Sequence, residues 1–324
     1  MFLRMKILAI LLSIGMSYSC DAIPNDKQEN SSRIVFDVQQ SRILIDIDGT
    51  TIATYVFEDP DILRPYFTAL KAPSGVQVTR HHPPRKGLDA DDHATMHPGL
   101  WLAFGDISGN DFWRNKARVK HAGFINEPHV SGEYGGFTVR NQYLANGKVV
   151  CEETCKISIL IRPAGHLILW ESEFSSDRDS FNFGDQEEMG LGVRLATPIV
   201  VKNKAGGRIL DDKGNLNEKN IWGKPSLWCD YAGPVNNIFA GVMIIPDPDN
   251  FNPCRWHVRD YGFMTANPFG HKAFKLGESH KVIVEPGKSL RLGFGILLHS
   301  SNNEKAIDLD TAYRDYLKIK REFN

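Results

Sequence analysis

The run Ser41-Arg42-Ile43-Leu44-Ile45-Asp46-Ile47-Asp48-Gly49-Thr50-Thr51-Ile52-Ala53-Thr54-Tyr55-Val56-Phe57 carries the clearest structural signal in the chain. Two stretches of β-branched and apolar residues meet at Asp48-Gly49, a pair that accepts the positive φ angles of a two-residue turn, so the run predicts a β-hairpin. The signal recurs at Asn146-Gly147, where residues 137–144 meet residues 148–161. There Val150, Ile157, Ile159 and Ile161 alternate with polar neighbours, as on a half-buried strand. Further strands are predicted over residues 63–70, 100–107, 166–174, 190–195, 238–245, 256–263, 282–284 and 290–299. Short strands punctuated by Gly, Pro, Asn and Asp predict an all-β fold, a large antiparallel β-sandwich, and argue against alternating βαβ units. Only the tail reads as helix. Leu309, Ala312, Tyr313, Tyr316 and Leu317 fall at i, i+3, i+4, i+7 and i+8, so one C-terminal helix should cover an end or edge of the sandwich.

The first residues combine Arg4 and Lys6 with an apolar run over residues 7–14 and small or polar residues ending at Cys20, the layout of a secretory leader. The apolar run is about half of the ~20 residues that cross a bilayer. Ser17-Tyr18-Ser19-Cys20 also reads as a loose lipobox, which leaves acylation of Cys20 open. The expected organisation is a leader over residues 1–20, a polar linker over 21–32 and a single β-sandwich domain over 33–324. The expected location is the periplasm or the cell surface, with the membrane touched only through a lipid on Cys20. A formal net charge of −1, from 38 basic and 39 acidic residues, implies no nucleic-acid partner. Four cysteines remain beyond Cys20. A Cys151–Cys155 bridge is disfavoured, because four extended residues span roughly 13 Å against a limit of ~7 Å between bridged Cα atoms.

Three segments gather residues fit for chemistry. Residues 80–113 hold Arg80, His81, His82, Asp91, Asp92, His93, His97, Trp101, Asp106, Asp111 and Trp113 in a long Pro- and Gly-rich loop entering a strand. His93 and His97 meet only if this stretch makes a helical turn or a folded loop; their imidazoles either hold the loop, ligate a metal or serve acid–base chemistry. Residues 255–262 hold Arg255, Trp256, His257, Val258, Arg259, Asp260 and Tyr261, and on a strand His257, Arg259 and Tyr261 would share one face. Glu187 and Glu188 lie just before a Gly-spaced strand, and burial of either would raise its pKa toward the range useful to a general acid or base.

Read together, Leu63-Arg64-Pro65-Tyr66-Phe67, Asp92-His93, His97-Pro98-Gly99-Leu100-Trp101, Gly105-Asp106, Asp111-Phe112-Trp113, Glu188-Met189-Gly190-Leu191-Gly192-Val193-Arg194, Trp228-Cys229-Asp230-Tyr231 and Asn267-Pro268-Phe269-Gly270 resemble a bacterial family of unknown function that carries the label methane oxygenase PmoA. The match runs in order along nearly all of the chain beyond the leader. The label's chemistry does not carry over, because a particulate methane oxygenase subunit is a polytopic membrane protein. The resemblance instead implies the company of exported sugar-degrading proteins, and a sandwich similar to the supersandwich folds of mutarotases and polysaccharide-processing enzymes. Where the commoner family pattern has three close histidines, this chain has two, His93 and His97.

These readings converge on an expectation of a carbohydrate-processing enzyme, a hydrolase, lyase or epimerase, whose ligand is a carbohydrate or other small molecule. His93, His97, Glu187, Glu188 and His257 are its candidate catalytic residues. Arg64, Trp101, Asp106, Arg259, Asp260 and Asn267 are its candidate substrate-binding residues. No metal ligand set is assigned and no cofactor is named. The alternatives are a non-catalytic carbohydrate-binding module and a metal-dependent oxygenase, which would need a third ligand beside His93 and His97. The catalytic set is expected to meet in one cavity at one end of the sandwich, although it is scattered through the sequence.

Overall fold

A computed structural model of the protein describes residues 33–323, so the leader, Cys20 and the polar linker lie outside the described residues. Strands β1 (Ile34–Val38), β2 (Arg42–Ile47) and β3 (Thr50–Val56) open the fold, and β4 (Tyr66–Thr68) and β5 (Leu100–Phe104) flank the long His-bearing loop. A meander follows of β6 (Arg118–Ser131), β7 (Tyr134–Ala145), β8 (Lys148–Arg162) and β9 (Gly165–Ser175). The chain continues through β10 (Phe181–Phe183), β11 (Met189–Arg194), β12 (Arg208–Asp211), the short helix α1 (Asn217–Ile221), β13 (Cys229–Val235) and β14 (Ile238–Pro246). It ends with β15 (Arg255–Arg259), β16 (Phe263–Asn267), β17 (Val282–Val284), β18 (Ser289–Ser301) and helix α2 (Leu309–Phe323).

Two antiparallel eight-stranded sheets form the sandwich. The first runs β1-β2-β3-β4-β5-β11-β16-β15 and the second β12-β13-β14-β18-β9-β8-β7-β6, with β10 and β17 pairing as a separate ribbon. Both predicted hairpins are present. Asp48 and Gly49 have φ of 51° and 74°, and Asn146 and Gly147 of 51° and 74°, the left-handed pair that matches the twist of the strands they join. Alternation then sends Ile43, Ile45, Ile47 and Tyr55 from the first sheet, and Phe137, Ile157, Ile159, Ile168 and Trp170 from the second, into one core between the sheets. Cys151, Cys155, Cys229 and Cys254 are free thiols within that core.

The outer faces differ. Helix α2 lies across the outer face of the second sheet, not an end or edge of the sandwich. Leu309, Ala312, Tyr316 and Ile319 meet Leu160, Leu169, Met243 and Leu297 there. Gly295 leaves room for this, since a Cβ at that position would stand 2.6 Å from the Tyr316 ring. Arg162 Nε and Nη2 reach both Asp315 oxygens at 2.8 and 2.6 Å, fixing the helix from its polar side. Among the described residues the first sheet has no long helix on it; only the short α1 meets its edge strand β15, through Glu218 on Arg259 and Asp260. Its outer face carries a small aromatic cluster, Tyr66, Trp101, Trp113 and Phe263, beneath the long loops. The segment predicted as one strand over residues 256–263 is a tight turn between two, because the chain reverses through Gly262 at φ 96°.

Candidate active site

Strand register assembles the site. Gly192 on β11 is opposite Trp101 on β5 and Thr265 on β16, and Thr265 is opposite His257 on β15. Side chains in such a row project from one face of a sheet. The neighbouring row on that face is Arg194, Phe263 and Arg259. The intervening residues Leu102, Leu191, Val193, Met264 and Val258 point into the main core, so both rows belong to the outer face. A Cβ on Gly192 would stand 2.9 Å from the Trp101 indole and 3.0 Å from that of Trp113. The glycine is what lets both rings lie on the strand.

The loop before β5 folds onto this floor around Arg80. Its guanidinium donates to the carbonyls of Ala90, Asp92, His93 and His97, so a stretch without regular structure is gathered on one buried cation. His97 N donates to His93 O at 3.0 Å, closing a helical turn that stacks the two imidazoles 4.8 Å apart. His97 is buried against Trp101 at 4.9 Å and Phe263 at 4.8 Å. Burial, the neighbouring His93 and the guanidiniums of Arg194, Arg64 and Arg80 hold its pKa well below the ordinary histidine range. Asp92 joins the loop to the sheet, its two oxygens meeting His93 Nδ1 at 2.9 Å and Arg194 Nη2 at 2.8 Å.

Across Phe263 lies the second half of the site. His257 packs edge-on to that ring at 5.0 Å, and its Nε2 is 3.4 Å from Glu187 Oε2. His257 Nδ1 is 3.3 Å from the Glu187 carbonyl oxygen, which can only accept, so Nδ1 carries the hydrogen and Nε2 the lone pair. Burial and the Arg259 charge push the imidazole down to about 3. Burial raises the Glu187 carboxyl above its ordinary value; Glu188 adds to the rise, and Arg259, 3.2 Å away, opposes it. A neutral base therefore faces an acid whose proton is retained to higher pH.

The structure gathers His93, His97, His257, Arg259 and Glu187 on one sheet face, not at a sandwich end. Glu188 stands beside them, paired with Arg114. The candidate binding residues fare differently. Arg64 is buried, and its Nη1 and Nη2 are taken by the carbonyls of Trp113 and Met96 and by Asn115. It holds loops together and reaches no open surface. Trp101 is fully buried beneath His97 and offers no free ring face to a sugar. Asp106 caps a turn by accepting from Gly109 N. Asp260 is locked with Glu218: its carboxylate accepts from Glu218 N while its own N donates to Glu218 Oε2. Asn267 positions Glu187, donating to the carbonyls of Gln186 and Glu187 and accepting from Phe269 N and Gly270 N. Tyr261 lies beyond β15, in the turn, yet its ring stacks toward His93 at 6.2 Å.

Sequence reasoning passed over Arg194, Thr265 and Phe263. The alternation Gly190-x-Gly192-x-Arg194 was their available signal, since two glycines ahead of an arginine on one strand face leave room above the sheet. Thr265 Oγ1, Trp101 Nε1 and His97 Nδ1 are buried and have no hydrogen-bond partner among the described residues. They are three of eighteen such side-chain atoms among the described residues, the others spread over both sheets and the loops. Among the described residues no group of three or more His, Cys, Asp or Glu could hold a metal ion, so His93 and His97 lack the third ligand of a metal centre. A groove of about 190 Å³, lined in part by Arg255, Asn267, Phe269 and His280, opens beside the site. A larger groove of about 640 Å³ lies on the outer face of the second sheet. Lys156 pairs there with Glu171 at 3.4 Å and Lys320 with Asp247 and Asp249, and Glu173 and Arg291 also line it.

No curated protein matches the chain. Solved structures similar to it include a candidate kojibiose phosphorylase from the human microbiome (9% identity, 83% of this chain and 28% of that one, TM-score 0.34). Others are a TPR-domain containing protein from Parabacteroides distasonis (10%, 82% and 48%, TM-score 0.43) and a galactose mutarotase-like protein from Lactobacillus casei (9%, 82% and 100%, TM-score 0.32). The chain thus spans less than half the length of the first two. A family model matches residues 42–312, a span that takes in every strand but β1 and every residue of the site, and the chain belongs to that family of unknown function, DUF6807.

Proposed function

We propose that the outer face of the first sheet is an acid–base site for a sugar hemiacetal, and that the protein interconverts or opens reducing sugars. The observation that carries this is the 3.4 Å separation of His257 Nε2 and Glu187 Oε2, with the lone pair on the first and the raised pKa on the second. Glycosidases place their two carboxyl groups about 5–5.5 Å apart when retaining and about 6.5–9.5 Å apart when inverting. A donor and an acceptor this close instead suit two oxygens borne by the same carbon, as in a cyclic hemiacetal. In the proposed step the anomeric hydroxyl gives its proton to His257 Nε2, the bond from C1 to the ring oxygen breaks as C1=O forms, and Glu187 gives its proton to that oxygen. Rotation about the C1–C2 bond and the reverse step return both protons and close the ring on either face. Arg259, bridging Glu187 at 3.2 Å and Glu218 at 3.1 Å, steadies the carboxylate formed midway.

Magnetisation-transfer NMR on a panel of aldoses measures this exchange directly. Wild-type protein should accelerate anomer exchange of at least one sugar, and Glu187→Gln and His257→Asn should each lower the rate about 100-fold or more, the usual worth of a general acid or base. Failure of the wild type to accelerate any of them contradicts the proposal, and binding without exchange would favour a non-catalytic sugar-binding module.

A further inference from the structure

We propose that Arg194 forms a carboxylate subsite, so that the sugar handled by this face is acidic, a uronate or a glycan ending in one; this rests on the acid–base reading of the same face. Arg194 is buried, with 1% of its surface exposed, yet its Nε and Nη1 have no hydrogen-bond partner among the described residues. Its one salt bridge among the described residues is Nη2 with Asp92. Asp92 is shared: it also accepts from His93 and lies 3.8 Å from Arg80, the other buried guanidinium of the cluster. Asp89, nearby, is occupied by His81, Thr197 and the Arg85 backbone. Burial and the nearness of Arg194 lower Arg80 to about 10, a sign of two cations crowded together. Asp89 and Asp91 act on Arg80 as well as Asp92, so the unmet need lies at Arg194 itself, where two buried nitrogens lack an acceptor, a costly arrangement unless a ligand supplies one.

The position fits the acid–base pair. Arg194 lies 4.7 Å from the Tyr261 ring, Tyr261 stacks 6.4 Å from Phe263, and His257 meets Phe263 edge-on at 5.0 Å. The aromatic rings thus link the cation at one end to the acid–base pair at the other, the order that a sugar needs to present its carboxylate to Arg194 and its anomeric centre to His257. Nη1 and the second hydrogen of Nη2 form an end-on fork that matches a carboxylate.

Isothermal titration of the full chain with glucuronate and galacturonate, against glucose, galactose and glucose 6-phosphate, tests the subsite. At least one uronate should bind tenfold or more tightly than its neutral sugar; Arg194→Gln should abolish that preference and Arg194→Lys should keep part of it. Equal binding of acidic and neutral sugars, tighter binding of the phosphate, or a preference unchanged in Arg194→Gln overturns the subsite. A uronate preference that depends on Arg194 but comes without anomer exchange sinks only the acid–base reading. Exchange of neutral sugars with no uronate preference sinks only the subsite.

Discussion

At neutral pH the buried His257 imidazole carries no charge, and the Glu187 carbonyl fixes which of its nitrogens holds the hydrogen. The proposed step needs that neutral base together with a protonated Glu187, and the two pKa directions give the pH dependence its sign. As pH falls toward about 3, His257 gains a proton and can no longer accept one. As pH rises through the raised Glu187 value the acid is lost, so kcat should fall on the alkaline side. Glu187→Gln should remove that alkaline limb along with most of the rate; an unchanged limb in this variant would assign it to another group. Gly192 offers a separate test at this scale. A methyl group there meets the Trp101 and Trp113 indoles. Gly192→Ala should therefore cost about 1–3 kcal/mol in urea unfolding through overpacking. It should also weaken sugar binding, because His97 rests on Trp101. A variant as stable as wild type would show that the indoles are free to move.

Among the elements, those with strong local rules were legible in the sequence. The Asp48-Gly49 and Asn146-Gly147 turns, the alternating strand β8 and the amphipathic helix α2 all follow from residue type and period. Strand β6 did not show, because as the outermost strand of the second sheet it carries Lys120, Asn126, Glu127, Pro128 and His129, and register shifts break the alternation of the apolar residues it does send inward, Val119 and Phe124. The division of residues 255–267 into β15 and β16 was hidden for another reason. The turn between them is held from afar, by Glu218 on Arg259 and Asp260, and no local pattern reports that contact. The same holds for the site. Its histidines and acids could be picked out by type, but that Arg64, Asp106 and Asp260 would be used up in holding loops depended on carbonyls and amides elsewhere in the chain. Helix α2 gives this scale its prediction. Tyr316 fills the space left above Gly295, so Tyr316→Ala should lower unfolding free energy by about 3 kcal/mol, as for other large buried aromatics. Anomer exchange should stay near wild type, because the helix lies on the opposite sheet. A loss of activity with full stability would tie the helix to the chemistry.

Over the whole molecule the sandwich gives its two outer faces different tasks. The second sheet is covered by α2 and finished with paired charges. The first is left to the loops, and there the register of β5, β11, β16 and β15 draws residues from four separated segments into two rows. Volume alone would point to the other side, to the groove of about 640 Å³ lined by Thr154, Lys156, Glu171 and Arg291. Chemistry points to the first sheet, where a neutral base faces a raised acid. Amide chemical-shift mapping of the isotope-labelled protein, titrated with the uronate that binds most tightly, decides between the two faces. The shifting amides should belong to Trp101, Glu187, Gly192, Arg194, His257 and Thr265, with Thr154, Lys156, Glu171 and Arg291 unmoved; shifts confined to the second group would place the sugar on the other sheet and contradict the acid–base site.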